Sequence, residues 1–366
     1  MEKRNLSAFQ MGVLMYPTVL ATGFLALPTI TAQSAKNDLW LTCIFASFIG
    51  LLTIYMAFRL HELYPGQTLV QYSERILGKL LGKLYIFVFL FYILNTSGTI
   101  TRQYAEFVKG NFLFKTPITI IMSFMILLCA IAVRGGVEML ARCAIIFTPI
   151  FILPLFILLL LIPDLDAKQI FPVLSHGLIP VFKGSAQPIV WMSEFFLISF
   201  FLPHVSDPEK GKKWSYISLC SVTLSLTYVN LLSLFLLGPD TGNKIYPILV
   251  AFRYISIGNI FENMEALLLA MWIVGNFIKI SAFLYVAVHS LRQWLHLSDD
   301  RHITFPLGIL VVVLGIWDLP DSSKIGENLK LGLILIPSCL ALIPLILLII
   351  AVLRKQRTTD EGESSL

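Results

Sequence analysis

The chain has 366 residues, of which 57% are hydrophobic and only 13% charged, and its mean hydropathy is +0.82. That balance excludes an ordinary soluble domain and defines an integral membrane protein. The formal net charge of +5 comes from lysine and arginine flanking apolar stretches, so it calls for no nucleic-acid partner.

Apolar runs long enough to cross a hydrocarbon core of ~30 Å fall at about 8–31, 39–60, 84–105, 117–133, 143–163, 178–203, 215–238, 264–291, 304–318 and 331–353. The short start Met1–Ser7 leads straight into a full-length span, so no cleavable signal is expected. Ten spans put both termini on one side of the membrane. With the N-terminus cytoplasmic, the inner segments hold sixteen lysines and arginines and the outer segments eight. The positive-inside rule therefore places both termini in the cytoplasm.

In chain order, the first span reads Tyr16-Pro17-Thr18-Val19-Leu20-Ala21-Thr22-Gly23-Phe24-Leu25-Ala26-Leu27-Pro28. Glycine and proline at this depth predict a break, because an interrupted helix survives in lipid only where protein or a water-filled cavity satisfies its backbone. Unwinding around Thr22–Ala26 frees N–H and C=O groups, and the half-helix ends suit the carboxylate and ammonium of an amino acid. The alternative is a proline-kinked helix packed tightly at Gly23. After span two, Arg59–Lys83 forms an amphipathic cytoplasmic connection. In span three, Asn95, Thr99, Arg102 and Glu106 share one helical stripe. Arg102 and Glu106 are expected to pair near the outer end, while Asn95, Thr96 and Thr99 lie deep enough to line a pocket.

The sixth span, from Gly177-Leu178-Ile179-Pro180 through Gly184 and Pro188 to Pro203, carries the matching break. Corresponding interruptions in two halves of a chain mark the midplane site of an inverted-repeat transporter fold. Glu194, after Val190-Trp191-Met192-Ser193, is the one carboxylate within this span, and an intramembrane acid is a functional candidate by default. It is read either as a ligand or proton site or as an acceptor for freed N–H groups or a basic partner. In the outer segment Gly238–Asn263, Tyr246–Tyr254 predicts a short helix over the external mouth. Span eight presents Glu265, Trp272, Asn276 and Lys279 on one face. Lys279 is too deep to snorkel to either surface and needs a partner. The favoured reading makes it a surrogate for a coupling cation, donating to carbonyls of span one; the other is a salt bridge to Glu194. The tail 354–366 is polar.

The five cysteines, Cys43, Cys129, Cys143, Cys220 and Cys339, lie in or at apolar spans without paired spacing and read as small buried hydrophobes. The six histidines are scattered over span ends and loops without metal-site spacing. There is no phosphate-binding glycine loop, dinucleotide fingerprint or nucleophile elbow. Neither an enzyme nor a cofactor or metal is expected.

Several motifs carry a family resemblance: Ser7-Ala8-Phe9-Gln10-Met11-Gly12 with Ala21–Pro28, Tyr64-Pro65-Gly66-Gln67-Thr68 with Leu77-Gly78-Lys79, Arg134-Gly135-Gly136-Val137-Glu138 entering Ala141-Arg142, and Gly184 through Pro203. Over about residues 7–355 the chain resembles the B subunits of GerA-type spore germinant receptors, within the amino acid–polyamine–organocation transporter superfamily. The resemblance implies an all-α membrane domain over residues 1–366 with ten transmembrane helices in a LeuT-like inverted 5+5 repeat. Repeat one covers about 8–163, repeat two about 178–353, and helices 1 and 6 are broken. It implies a small nutrient, usually an amino acid, held at the midplane. Thr22, Gly23, Leu25 and Ala26 map to the unwound first span, and Val190, Trp191, Ser193 and Glu194 to the sixth. It also implies partners, a larger A subunit and a lipoprotein C subunit, in the spore inner membrane. One departure is the single glycine in Ala21-Thr22-Gly23-Phe24, where many amino acid transporters carry a pair. The expected function is nutrient sensing. The alternatives are a proton-coupled amino acid permease using the same pocket, or a structural or ion-conducting subunit without a nutrient site.

Overall fold

The computed structural model describes residues 6–255, 264–318 and 337–363. Residues 256–263 of the outer segment, the start of the expected tenth span, and Lys3, Arg4, Lys324 and Lys330 of the charge tally lie outside the described residues. The described chain is helical, with one isolated bridge joining Leu6 to Val205.

Helix α1 (Ala8–Ala35) begins at a capping box in which Ser7 Oγ accepts from the Gln10 N–H while the Gln10 side chain accepts from the Ser7 N–H. Contrary to the expectation from its prolines, α1 is continuous through Pro17 and Pro28. Each proline removes one N–H from the ladder. Nearby hydroxyls partly compensate, since Thr18 Oγ1 donates to Leu14 O at 2.7 Å and Thr31 Oγ1 to Leu27 O at 2.8 Å. Close packing on α6, α7, α10 and α12 holds the rest of the helix in register. The break predicted at Thr22–Ala26 is thus corrected to an unbroken helix.

Helix α2 (Leu41–Leu63) is followed by the amphipathic α3 (Leu69–Leu77), which buries Leu69, Val70, Tyr72, Ser73 and Ile76, as expected for Arg59–Lys83. Then come α4 (Lys79–Asn111), α5 (Ile118–Arg134) and α6 (Gly136–Ile157). The sixth span is interrupted as predicted. It is assembled from α7 (Ile179–Gly184), α8 (Ala186–Ser193), a 3-10 turn at Glu194–Leu197, α9 (Ile198–Phe201) and a second 3-10 turn at Leu202–His204. Hydroxyls cover carbonyls along it: Ser185 Oγ donates to Val181 O at 2.8 Å and Ser193 Oγ to Val190 O at 2.6 Å. The remainder is α10 (Pro208–Leu237), the short α11 (Pro247–Tyr254) where an outer helix was predicted, α12 (Glu265–Trp294), α13 (Arg301–Asp318) and α14 (Ile343–Glu363).

Among the described residues, seven helical segments are long and apolar enough to cross a membrane, and the other three expected spans coincide with shorter apolar helices at Ile118–Arg134, Arg301–Trp317 and Ser338–Arg354. The outer faces of α4, α5 and α6 expose Phe87, Phe91, Phe124, Ile146 and Phe156, the pattern of a surface solvated by lipid. Helix α1 is buried on nearly every side and forms the axis of the bundle together with α12 and the sixth span. Four of the cysteines are buried or half-buried, but Cys220 lies on the exposed side of α10.

Candidate functional site

Lys279 on α12 and Glu194 at the first 3-10 turn of the sixth span meet in the interior. Lys279 Nζ donates to Glu194 Oε2 at 2.6 Å, with side-chain exposures of 0% and 3%. Among the described residues, the partner of Lys279 is therefore Glu194 and not a carbonyl of α1. The change from α to 3-10 winding directly after Ser193 sets Glu194 at the junction, and Phe283, one turn along α12, places its ring 5.6 Å from the ammonium. An ion pair this deep has its charges matched to one another but gains little over an apolar contact of the same volume.

At the same level Gly23 of α1 packs on Trp191 of α8. A Cβ at position 23 would stand 3.0 Å from Trp191 Cε3 and 3.4 Å from Leu226 Cδ2, so the glycine is what lets the indole lie against the α1 backbone. One turn away, Gly275 of α12 admits Phe151 and Ala21, to which an added Cβ would come within 2.4 Å and 3.3 Å. Thr22 and Leu25 are buried beside this contact and Ala26 is half-buried.

Helix α4 contributes a stripe of Tyr85, Phe89, Tyr92 and Thr96, of which the sequence reading singled out only Thr96. Tyr92 faces both Glu194 and Thr96, and its buried hydroxyl has no partner in hydrogen-bonding geometry among the described residues. The signal was available, because these four positions recur at +4, +3 and +4, yet the polar stripe Asn95–Thr99–Arg102–Glu106 drew attention instead. That stripe contains the expected ion pair, Arg102 Nη2 to Glu106 Oε1 at 2.7 Å. Asn95 and Thr99 are half-buried and linked by Thr99 Oγ1 donating to Asn95 O at 3.2 Å. By helical angle they stand at the edge of the Tyr92–Thr96 face, beside Gly98, which crosses α13 at Gly315.

Aromatic layers close the site toward both faces. On the α11 side, Phe24 lies 6.2 Å from Trp272, which lies 5.1 Å from Phe107, itself 5.2 Å from Tyr246. On the α3 side, Phe89 stacks on Phe200 at 5.6 Å and Phe201 on Tyr285 at 5.6 Å. Asn276, one turn from Lys279, donates to Trp272 O at 2.9 Å and keeps an acceptor oxygen without a partner among the described residues.

A bundle built around a buried first span, an interrupted sixth span and α12 is the LeuT-like membrane transporter fold. Solved structures agree. The chain matches the transporter MhsT in complex with L-phenylalanine at TM-score 0.73 and 13% identity, covering 95% of this chain and 89% of that one. It matches Mhp1, a nucleobase-cation-symport-1 family transporter in a closed conformation with bromovinylhydantoin bound, at TM-score 0.67 and 11% identity, covering 94% and 78%. At the level of sequence, the spore permease family model, described as spore germination protein, matches residues 5–322, and the chain belongs to that family. Among its relatives, spore germination protein KB of Bacillus subtilis (strain 168) is 25% identical over the full length of both chains. Spore germination protein A2 of the same organism is 28% identical over 97% of this chain and 98% of its own. Membership of the spore germination protein family places the protein outside the enzymes.

Proposed function

We propose that the protein is the nutrient-sensing subunit of a spore germination receptor and that it binds a small amino acid at the midplane between α1 and the sixth span. The observation that carries this reading is the buried Glu194–Lys279 pair. A zwitterion has the two charges needed to exchange with it: its carboxylate takes over the Lys279 ammonium and its ammonium takes over Glu194. Lys279 then holds the place of a coupling cation in the resting state. Displacing Trp191 from Gly23 opens room beside Thr22, Leu25 and Ala26 on one side and Val190 and Ser193 on the other. Asn95 and Thr99 border the pocket from α4. Binding shifts the balance between a self-paired and a ligand-bridged conformation by its differential affinity for the two, and a partner reads the shift. In this proposal the partners are a larger A subunit and a lipoprotein C subunit in the spore inner membrane. The chain forms one transmembrane domain of ten crossings with both termini cytoplasmic, repeats at about 8–163 and 178–353, and a tail at 354–366.

The test is a thermal-shift screen of amino acids on the purified full chain in nanodiscs. At least one should raise Tm in a concentration-dependent way, and the Glu194→Gln/Lys279→Met double variant should lose that shift. A shift that persists in the double variant removes the ion pair from the ligand site.

A further inference from the structure

On the α3 face a cavity of about 630 Å³ is lined by Thr68, Gln71 and Glu74 of the α3 region, Pro203, and Arg292, Gln293 and His296 near the end of α12. Below it lie His204 and His289, buried at 5% and 2% exposure, with ring centroids 5.8 Å apart. Tyr285 joins them: its ring stacks on His289 at 5.5 Å and its hydroxyl bonds His204 Nε2 at 3.2 Å.

The hydrogen bonds above the pair have a definite polarity. The Thr68 hydroxyl donates to Gln293 Oε1, which leaves the Gln293 amide N–H pointing at His289 Nε2, 2.9 Å away. A donor there requires a lone pair on His289 Nε2, so the closed arrangement contains neutral His289. Protonation would set N–H against N–H and place a cation beside the His204 ring, 5.8 Å away. The amide orientation that turns Nε2 toward His289 is the one in which Oε1 receives the Thr68 hydroxyl.

We propose that His204 and His289 form a proton-binding site at the floor of this vestibule, separate from the Glu194–Lys279 pair, whose protonation releases the Thr68–Gln293–His289 latch between α3 and α12 and admits water toward the interior. Charged and titratable groups lie in the vestibule lining and on the neighbouring elements. Glu74 comes from α3, and Arg292 and His296 come from α12, with Arg292 3.9 Å from Asp300. His61 and Glu62 end α2, with Glu62 bonded to Arg59 and Lys212. Asp207 follows His204 and accepts from the Ala8 N–H at 2.7 Å. On α4, Lys83 offers its carbonyl to Trp294 and Tyr85 its hydroxyl to Cys339 O.

The experiment uses the full chain in nanodiscs, without nutrient, in a cysteine-free background carrying Ser199→Cys. Ser199, on α9, is buried at 3% exposure and lies beside Tyr72 of α3. Maleimide labelling is read relative to a tail cysteine, Ser365→Cys, which cancels the reagent's own pH dependence. Between pH 7.5 and pH 5.5, across the ordinary histidine range near 6.5, the relative rate should rise about tenfold, the change expected when one buried hydrogen-bonded latch is lost. His289→Gln should abolish the rise, and Gln293→Leu should label quickly at both pH values. A flat profile in the parent chain, an unchanged rise in His289→Gln, or continued protection in Gln293→Leu each overturns the proposal.

Discussion

Lys279 and Glu194 are each matched to the other and to little else, so the two single variants and the double variant should differ in kind. Lys279→Met strands a carboxylate in the core, and Glu194→Gln strands an ammonium. Removing one partner of a buried pair costs about 3–5 kcal/mol, while replacing both with neutral groups is close to neutral. Thermal unfolding in nanodiscs should show both single variants below the parent chain and the double variant near it, with nutrient response lost in all three. A double variant as unstable as the singles would mean that the pair stabilises the fold by its own attraction. Gly23 acts by a different route, through space. Because a Cβ there meets the Trp191 ring at 3.0 Å, Gly23→Leu should hold Trp191 out of its seat and abolish the nutrient response at normal protein levels. An unaltered dose response would detach α1 from the site.

Among the helices, a backbone-to-backbone approach that a single methyl group can test is the crossing of α4 and α13. A Cβ on Gly315 would lie 2.6 Å from Gly98 O, and one on Gly98 would lie 2.8 Å from Gly315 N. Backbone atoms cannot swing aside as a side chain does, and small residues at such crossings are what allow membrane helices to associate closely. Gly98→Ala and Gly315→Ala should each destabilise the fold by about 1–3 kcal/mol, as overpacking does, visible as a lowered Tm. Gly66, whose surroundings leave open space around an added Cβ, has φ +72°, so its substitution to Ala introduces local strain without a clash. The sixth span shows why the two prolines of α1 and the glycines and prolines of its partner had different outcomes. Helix α1 is sheathed by four neighbours that keep it wound, whereas the sixth span combines Pro180, Gly184, Pro188 and Pro203 with a turn of 3-10 winding at Glu194.

For the whole molecule, sensing and transport separate on release. A receptor has to bind and bias two states, whereas a permease must also let go on the far side. Proteoliposomes preloaded with the nutrient and given a proton gradient should bind radiolabelled nutrient yet show little counterflow above the Gly23→Leu blank. Gradient-driven uptake well above that blank would make the protein a permease. Topology is a second whole-molecule expectation. With termini inside, an impermeant maleimide added from outside should label Ser175→Cys and spare Ser298→Cys, both exposed positions at opposite ends of the bundle; the reverse pattern inverts the assignment.

The all-helical membrane fold was readable from residues alone, since apolar runs long enough to span a bilayer leave few alternatives to helix. So were the amphipathic α3, the short α11, the Arg102–Glu106 pair and the interrupted sixth span, because each rests on local spacing or on residues that alter local winding. The unbroken course of α1 was not legible, since whether proline interrupts a helix depends on neighbours drawn from anywhere in the chain. For Lys279 the sequence offered Glu194, 85 residues away, only as the second reading after the carbonyls of span one, and the meeting of His204 with His289, an equal distance apart in sequence, was not legible at all. Sequence by itself determined that charges had to be buried and that they needed partners, because the bilayer makes an unpaired charge costly. Only the tertiary structure decided which ones met, because pairing across a bundle is set by how helices rotate and cross, and no periodicity along one helix encodes that.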